Sequence, residues 1–296
     1  MDWQTLLQFV LSGASTGCIY ALVGLGFVLC ANATGVINFA AGEYVMVGGL
    51  VAARLAGLRA PLPLAVLAAV AAGAALGILQ ERATLAPIRN APSFIRITVT
   101  LGFAIVVRGA ALIVFGKDPY PMSGFSGDGV FELLGAVLVR QIVWVWALTA
   151  AVLVLLYVLL MLTAWGRAIR ACADNALAAR LMGIRPVRVG LIVFAASGAI
   201  GAIGGAAIAP ITLASYSVGI DFGLKGFIAA LFAGFRSPQI AVAGGIAIGV
   251  AETLAAGYVS SGSREIVVYT LLVIVLVASS GLLRRGRKPL TVVGHR

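Results

Sequence analysis

The 296-residue chain is 61% hydrophobic, only 10% charged, and carries a net charge of +11. Soluble domains hold about 25% charged residues, so this chain cannot clothe a water-facing surface and must use lipid as solvent for much of it. The 37 glycines agree with that reading, because glycine lets transmembrane helices approach closely. The basic residues lie between apolar runs, so they report membrane topology and imply no nucleic-acid partner.

Apolar runs near 20 residues can cross the hydrocarbon core as helices. In chain order they are Leu6–Cys30, Phe39–Ala53, Leu62–Gln80, Ile97–Phe115, Ile142–Thr163, Val189–Leu213, Ile240–Tyr258 and Ile266–Leu283, with a shorter run at Phe222–Phe235. The expected fold is an all-α polytopic membrane protein of eight or nine helices, including short or broken ones near residues 31–43 and 215–235. The start, Met1-Asp2-Trp3, lacks a basic region before the first apolar run, which argues against a cleaved signal peptide.

Orientation follows from the short loops. Trp165 to Arg188 carries Arg167, Arg170, Arg180, Arg185 and Arg188 against Asp174. The loop with Arg82, Arg89 and Arg96 and the tail with Arg284, Arg285, Arg287 and Lys288 are also basic. The positive-inside rule puts all of these, the C-terminus included, in the cytoplasm. Gly116 to Arg140 has two bases and three acids and belongs outside. Anionic lipid accounts for much of the basic excess.

Two stretches interrupt the apolar pattern. ANATGVINFAAGE (Ala31–Glu43) contains Asn32, Asn38 and Glu43, and SYSVGIDFGLK (Ser215–Lys225) contains Asp221 and Lys225. Unwound backbone and polar groups at membrane depth are tolerated where protein or a water-filled cavity surrounds them. Ser12-Gly13-Ala14 precedes the first break as Ser197-Gly198-Ala199 precedes the second, which suggests two related halves. Interrupted segments at corresponding positions mark the substrate site of many transporters.

Glu43 and Lys225 either meet the charged ends of a zwitterionic substrate or form a structural ion pair that fixes the broken helices. Asn38 and Asp221 are placed to cap the helices that follow them. Arg108 lies well inside a span, where it faces a carboxylate substrate, pairs with an acid such as Glu252, or snorkels to an interface. Cys18, Cys30 and Cys172 do not have the spacing of a disulfide framework. His295, near the C-terminus, makes no metal site with neighbours, and no cofactor is expected.

GRAIRACADNALAARLMGIRPVRVG (Gly166–Gly190) is rich in alanine, which favours helix, and Gly183 can end that helix before Pro186. Small residues Ala176, Ala178 and Ala179 follow Asp174, so one face can dock in a partner's groove, or the segment is an ordinary solvated amphipathic loop. Broken helices alone suit an ATPase-independent secondary transporter or channel equally well. An intramembrane enzyme finds no H-E-x-x-H or G-x-S-x-G motif.

Asp174 followed nine residues later by Gly183 resembles the ATPase-contacting loop of ABC importer permeases. The segments GVINFAAGEYVMVGG (Gly35–Gly49), TLGFAIVVRGAALIVFG (Thr100–Gly116), the loop above, and GLKGFIAALFAGF with its following glycine-rich helix (Gly223–Glu252) resemble permeases of branched-chain amino acid importers, the hydrophobic amino acid uptake family. The resemblance implies one permease domain over residues 1–296 in a bacterial inner membrane, with a cytoplasmic coupling loop at about residues 164–188. It also implies a second related permease chain, two cytoplasmic ATPases and an extracytoplasmic substrate-binding protein. Arg170, Asp174, Ala176, Ala179 and Gly183 would form the ATPase contact, and Asn38, Glu43, Arg108, Asp221, Lys225 and Glu252 the pathway. No G-x-x-x-x-G-K-[ST] loop is present, so ATP hydrolysis falls to another chain. Ala41 stands where members carrying branched-chain amino acids usually have histidine, and Arg108 is a further departure. The family also includes carriers of urea, short amides and carboxylates.

Overall fold

The computed structural model describes residues 3–259 and 263–286, and the side chains of the basic tail from Arg284 onward, like His295, lie outside the described residues. The helices are α1 (Trp3–Thr34), α2 (Ala41–Gly57), α3 (Leu62–Gln80), α4 (Ser93–Phe115), α5 (Gln141–Tyr157), α6 (Ala164–Leu181), α7 (Pro186–Thr212), α8 (Val218–Phe232), α9 (Pro238–Tyr258) and α10 (Ser263–Gly286). Helix α3 continues into a π-helical turn at Glu81–Leu85 and α5 into another at Val158–Leu162. Among the described residues six helices are long and apolar enough to cross a membrane: α1, α3, α4, α5, α7 and α9. Helices α2 and α8, with 17 and 15 residues, are shorter because the chain breaks before each of them.

The sequence pattern explains the hierarchy of burial. Helix α1 is apolar on all sides, and every residue from Gly17 to Cys30 is buried, so it is the central post of the bundle. Helices α4 and α5 turn large side chains such as Ile105, Ile113, Val154 and Leu155 outward, as lipid-facing helices do. Trp3 and Trp144 are exposed at one end of the bundle and Trp165 at the other, the distribution of aromatic residues at two membrane interfaces.

Two halves interlock. Helix α1 packs on α9 and α8, and α7 packs on α3 and α2. Gly13 meets Gly249 so closely that a Cβ on Gly13 would lie 2.7 Å from the Gly249 carbonyl oxygen, and Gly73 meets Gly198 in the same way. The sequence pairs Gly13 with Gly198, and each makes the same kind of contact with a glycine of the other half. The halves are inverted. Gly26 touches Ser197 while Gly204 touches Ile19 and Leu22, so α1 and α7 run antiparallel. This is the inverted-repeat arrangement common among transporters.

The segment between α4 and α5 forms a hairpin, which the reading of the sequence did not foresee. Strands β1 (Val130–Leu133) and β2 (Ala136–Val139) pair antiparallel with Val130 opposite Val139. Leu134 and Gly135 both have positive φ, 52° and 87°, as a two-residue turn matching strand twist requires. Tyr120 bridges Ala214, and Gln4 lies against Gly135, so the start of α1 and the end of α7 share the hairpin's side of the molecule.

Candidate translocation site and coupling helix

The first break, after Thr34, falls within the expected Ala31–Glu43, whereas the second, after Thr212, closes at Val218, so that Asp221 and Lys225 lie inside α8 and not in the break. At the first, Gly35 has φ of 66° and turns the chain back into the bundle. Asn38 Oδ1 accepts from Ala40 N–H at 3.1 Å and from Gln80 Nε2 at 2.6 Å, Asn38 Nδ2 donates to the Tyr44 hydroxyl at 3.1 Å, and that hydroxyl donates to Gln80 Oε1. All three side chains are fully buried. Thr100 on α4 accepts from Phe39 N–H at 3.2 Å and so ties α4 to the same turn. Asn38 therefore closes a two-residue turn and not the helix itself, because the N-cap of α2 is Ala40.

Glu43, in the first turn of α2, is buried at 2% exposure and pairs with Arg108 of α4. Its second carboxylate oxygen lies against the first turn of α8, where a Cβ on Gly219 would sit 2.5 Å from it. The amino end of α8 carries partial positive charge, which offsets part of the cost of burying this oxygen.

The second half builds a different cluster. Lys225 Nζ donates to Glu252 Oε1 at 2.6 Å and to the Tyr20 hydroxyl at 3.1 Å, and that hydroxyl donates to Glu252 Oε2 at 2.7 Å. Lys225 also lies 5.2 Å from the centre of the Tyr20 ring. The cluster borders a cleft of about 410 Å3 whose polar lining adds Ser12, Thr16, Asp221 and Thr253. Asp221 is exposed in it and joins no ion pair among the described residues. It is the fourth residue of α8, past the N-cap Ser217, so it does not cap that helix.

The sequence singled out these charges but suggested other pairings. Glu43 and Lys225 do not pair with each other, and Arg108 meets Glu43 in place of Glu252. Partners 65 and 27 residues apart are chosen by helix packing, which the sequence does not display. Tyr20, Tyr44, Gln80 and Thr100 went unnoticed in the sequence. Gln80, a polar residue closing an otherwise apolar run, was the available signal.

Helix α6 lies at the opposite end of the bundle from the hairpin. Thr163 caps its start by accepting from Gly166 N–H at 3.2 Å. It kinks at Asn175 (φ −156°, ψ 101°), whose Oδ1 accepts from Leu177 and Ala178 N–H at 3.0 Å each and so starts a second short helix after Asp174. Gly183, at φ 83°, ends it: Ile184 N–H reaches the Ala179 carbonyl and Gly183 N–H the Arg180 carbonyl, a Schellman cap. Arg170 folds back to donate to the Leu160 carbonyl.

Of the small residues expected on the docking face of α6, Ala178 is exposed, Ala179 is buried with Ile169 and Cys172 and so packs inward, and the side chain of Ala176 lies outside the described residues. The outward surface carries Asp174, Leu177, Leu181 and Met182, with Leu181 and Met182 each 83% exposed. The helix thus offers a rigid, kinked knob with an apolar tip and a basic surround of Arg167, Arg170, Arg180, Arg185 and Arg188, all exposed.

Comparison with known proteins now bears on this geometry. Residues 9–277 match the family described as branched-chain amino acid transport system, permease component. The chain is 30% identical over 294 residues to the high-affinity branched-chain amino acid transport system permease protein LivH of Salmonella typhimurium, covering 94% of this chain and 96% of that one. It is 29% identical to the corresponding permease protein BraD of Pseudomonas aeruginosa, with the same coverage. A probable branched-chain amino acid transport permease protein of Methanocaldococcus jannaschii is 29% identical over 264 residues, covering 82% of this chain and 79% of that one. The chain is a multi-pass membrane protein that belongs to the family of ABC permease components of branched-chain amino acid transport systems.

Proposed function

We propose that this chain forms half of the translocation pathway of an ABC importer in a cytoplasmic membrane, working beside a second related permease. The observation that carries the reading is the exposed apolar tip of α6, Leu177, Leu181 and Met182, on a helix whose other face is locked into the core. Water-exposed leucine and methionine at the rim of a membrane body are costly unless a partner covers them. A groove on each of two cytoplasmic ATPases is the partner that fits, and the kink at Asn175 lets the tip move as a unit when the ATPases close. The hairpin end, with N-terminus and β1–β2, then faces outward and receives an extracytoplasmic substrate-binding protein.

The cargo is a branched-chain amino acid or a related small carboxylate or amide. Its ammonium would meet Asp221 and its carboxylate Lys225 in the cleft, while Glu252 and Tyr20 hold the lysine in place. Ala41 is buried at the first position of α2, beside the sealed Asn38 turn. Its departure from histidine therefore alters the frame of the break and not the wall of the cleft.

The test is a pull-down from mildly solubilised membranes with Leu181→Asp and Met182→Asp together. Wild type should bring down ATPase subunits and a second permease, and the variant should lose only the ATPases. Absence of any ATPase with wild type under crosslinking would favour an ATPase-independent transporter.

A further inference from the structure

A separate cavity of about 240 Å3 lies near α6 at the end of the bundle away from the hairpin, lined by Thr34, Glu81, Arg89, Arg96, Arg180 and Pro186 among others. It is smaller than the roughly 300–1,000 Å3 of pockets for drug-sized ligands, so it suits a compact polar group. Three arginines from three elements converge on it: Arg89 from the α3–α4 linker, Arg96 from the first turn of α4, and Arg180 from the end of α6. Glu81 supplies one negative charge and is already held by Arg89 at 2.8 Å. Arg96 donates to the Thr34 carbonyl at 3.3 Å and to Ser93 Oγ at 3.1 Å, yet its Nε is buried without a hydrogen-bond partner. The formal balance is two positive charges in excess. Pro186 is the first residue of α7, so the positive end of that helix also borders the space.

The topology rule explains why arginines are on this side, but not why they line one cavity with a donor left over. An oxyanion with several acceptor oxygens would offset the excess positive charge and screen Arg180 from Arg89. The surroundings indicate its source. Phe94 and Ile95 are 77% and 45% exposed beside Arg96, the setting of a membrane interface. Basic pockets between helices on the cytoplasmic side hold anionic lipid head groups.

We propose that this cavity binds a phosphate group, that of an anionic phospholipid, and that the bound group bridges Arg96 on α4 to Arg180 on α6. The lipid would then fix the coupling helix against the membrane body. The choice of leaflet rests on the membrane orientation given above, but the binding does not require ATPase or substrate.

The test uses the full-length chain in detergent, titrated with phosphatidylglycerol, phosphatidylcholine or inorganic phosphate. Native mass spectrometry reads retained lipid and a thermal shift reads the phosphate arm. Phosphatidylglycerol should bind at least tenfold tighter than phosphatidylcholine, whose choline cation the arginines repel. Arg180→Gln should weaken binding at least fivefold and Arg96→Gln at least tenfold, while Arg167→Gln, outside the cavity, leaves it unchanged. Arg180 is exposed, so its variant decides the matter even if Arg96→Gln fails to fold. A phosphate-induced shift that Arg180→Gln abolishes supports the same site with a soluble source. Equal binding of both lipids with no phosphate shift, or wild-type binding by both variants, overturns the proposal.

Discussion

The two inverted halves share a helical frame and fill it in opposite ways. In the first, Asn38, Tyr44 and Gln80 close a triangle of hydrogen bonds that solvent does not reach, and Glu43 is sealed beneath Arg108. In the second, Tyr20, Lys225 and Glu252 make an equally tight cluster, but it borders a cleft of about 410 Å3 with Asp221 exposed in it. The two breaks thus differ: the first is closed within the bundle, and the second borders a cleft in which Asp221 is exposed. A buried polar cluster is costly to disturb because nothing replaces a lost partner.

That contrast can be broken by substitution. The largest effect is expected for Arg108→Ala, which strands the buried Glu43 carboxylate. Breaking a buried pair this way costs about 3–5 kcal/mol, so the folded fraction in detergent gel filtration should collapse. Glu43→Gln combined with Arg108→Met removes both charges and should recover most of the fold.

A smaller effect sharpens the difference between halves. Gln80→Leu leaves the Tyr44 hydroxyl hydrogen without an acceptor in a dry site, takes one of the two donors from Asn38 Oδ1, and should cost about 1–3 kcal/mol in thermal unfolding. Tyr20→Phe empties a site that is equally buried, but Lys225 still holds Glu252, and the loss should stay near 1 kcal/mol. Equal losses in the two variants would mean that the second cluster leans on Tyr20 as the first leans on Gln80. The smallest effect on stability belongs to Asp221→Asn, within about 0.5 kcal/mol of wild type, because its carboxylate supports nothing structural. Uptake of labelled substrate should nevertheless fall sharply.

How far the sequence carried this picture depends on the range of the interaction. Helix positions were legible because the apolar runs are local, as with Leu62–Gln80, which is α3 from end to end. The breaks were legible in outline from Asn38, Glu43, Asp221 and Lys225, polar residues in apolar surroundings, although the last two lie inside α8, just after the break. The pairings were not, since Glu43 to Arg108 and Lys225 to Glu252 are set by which helices cross, a property of packing and not of any window of sequence. Ala179 misled for a related reason. Its small size marks a close contact, but it makes that contact with its own protein, while Ala178 is exposed beside the outward Leu177, Leu181 and Met182. The hairpin escaped because four-residue strands carry little periodic signal and its turn needed Leu134 at positive φ.

The most direct measurement of the division between the halves is thiol accessibility in the complete importer, in vesicles with the hairpin side outward. Cys18, Cys30 and Cys172 are buried and would be replaced first, then Asp221→Cys and Asn38→Cys introduced separately. A membrane-impermeant thiol reagent should label Asp221→Cys quickly, substrate delivered with its binding protein should slow that labelling, and Asn38→Cys should stay unlabelled. Labelling of Asn38→Cys that substrate slows, with Asp221→Cys indifferent to substrate, would assign the pathway to the other half and contradict the account.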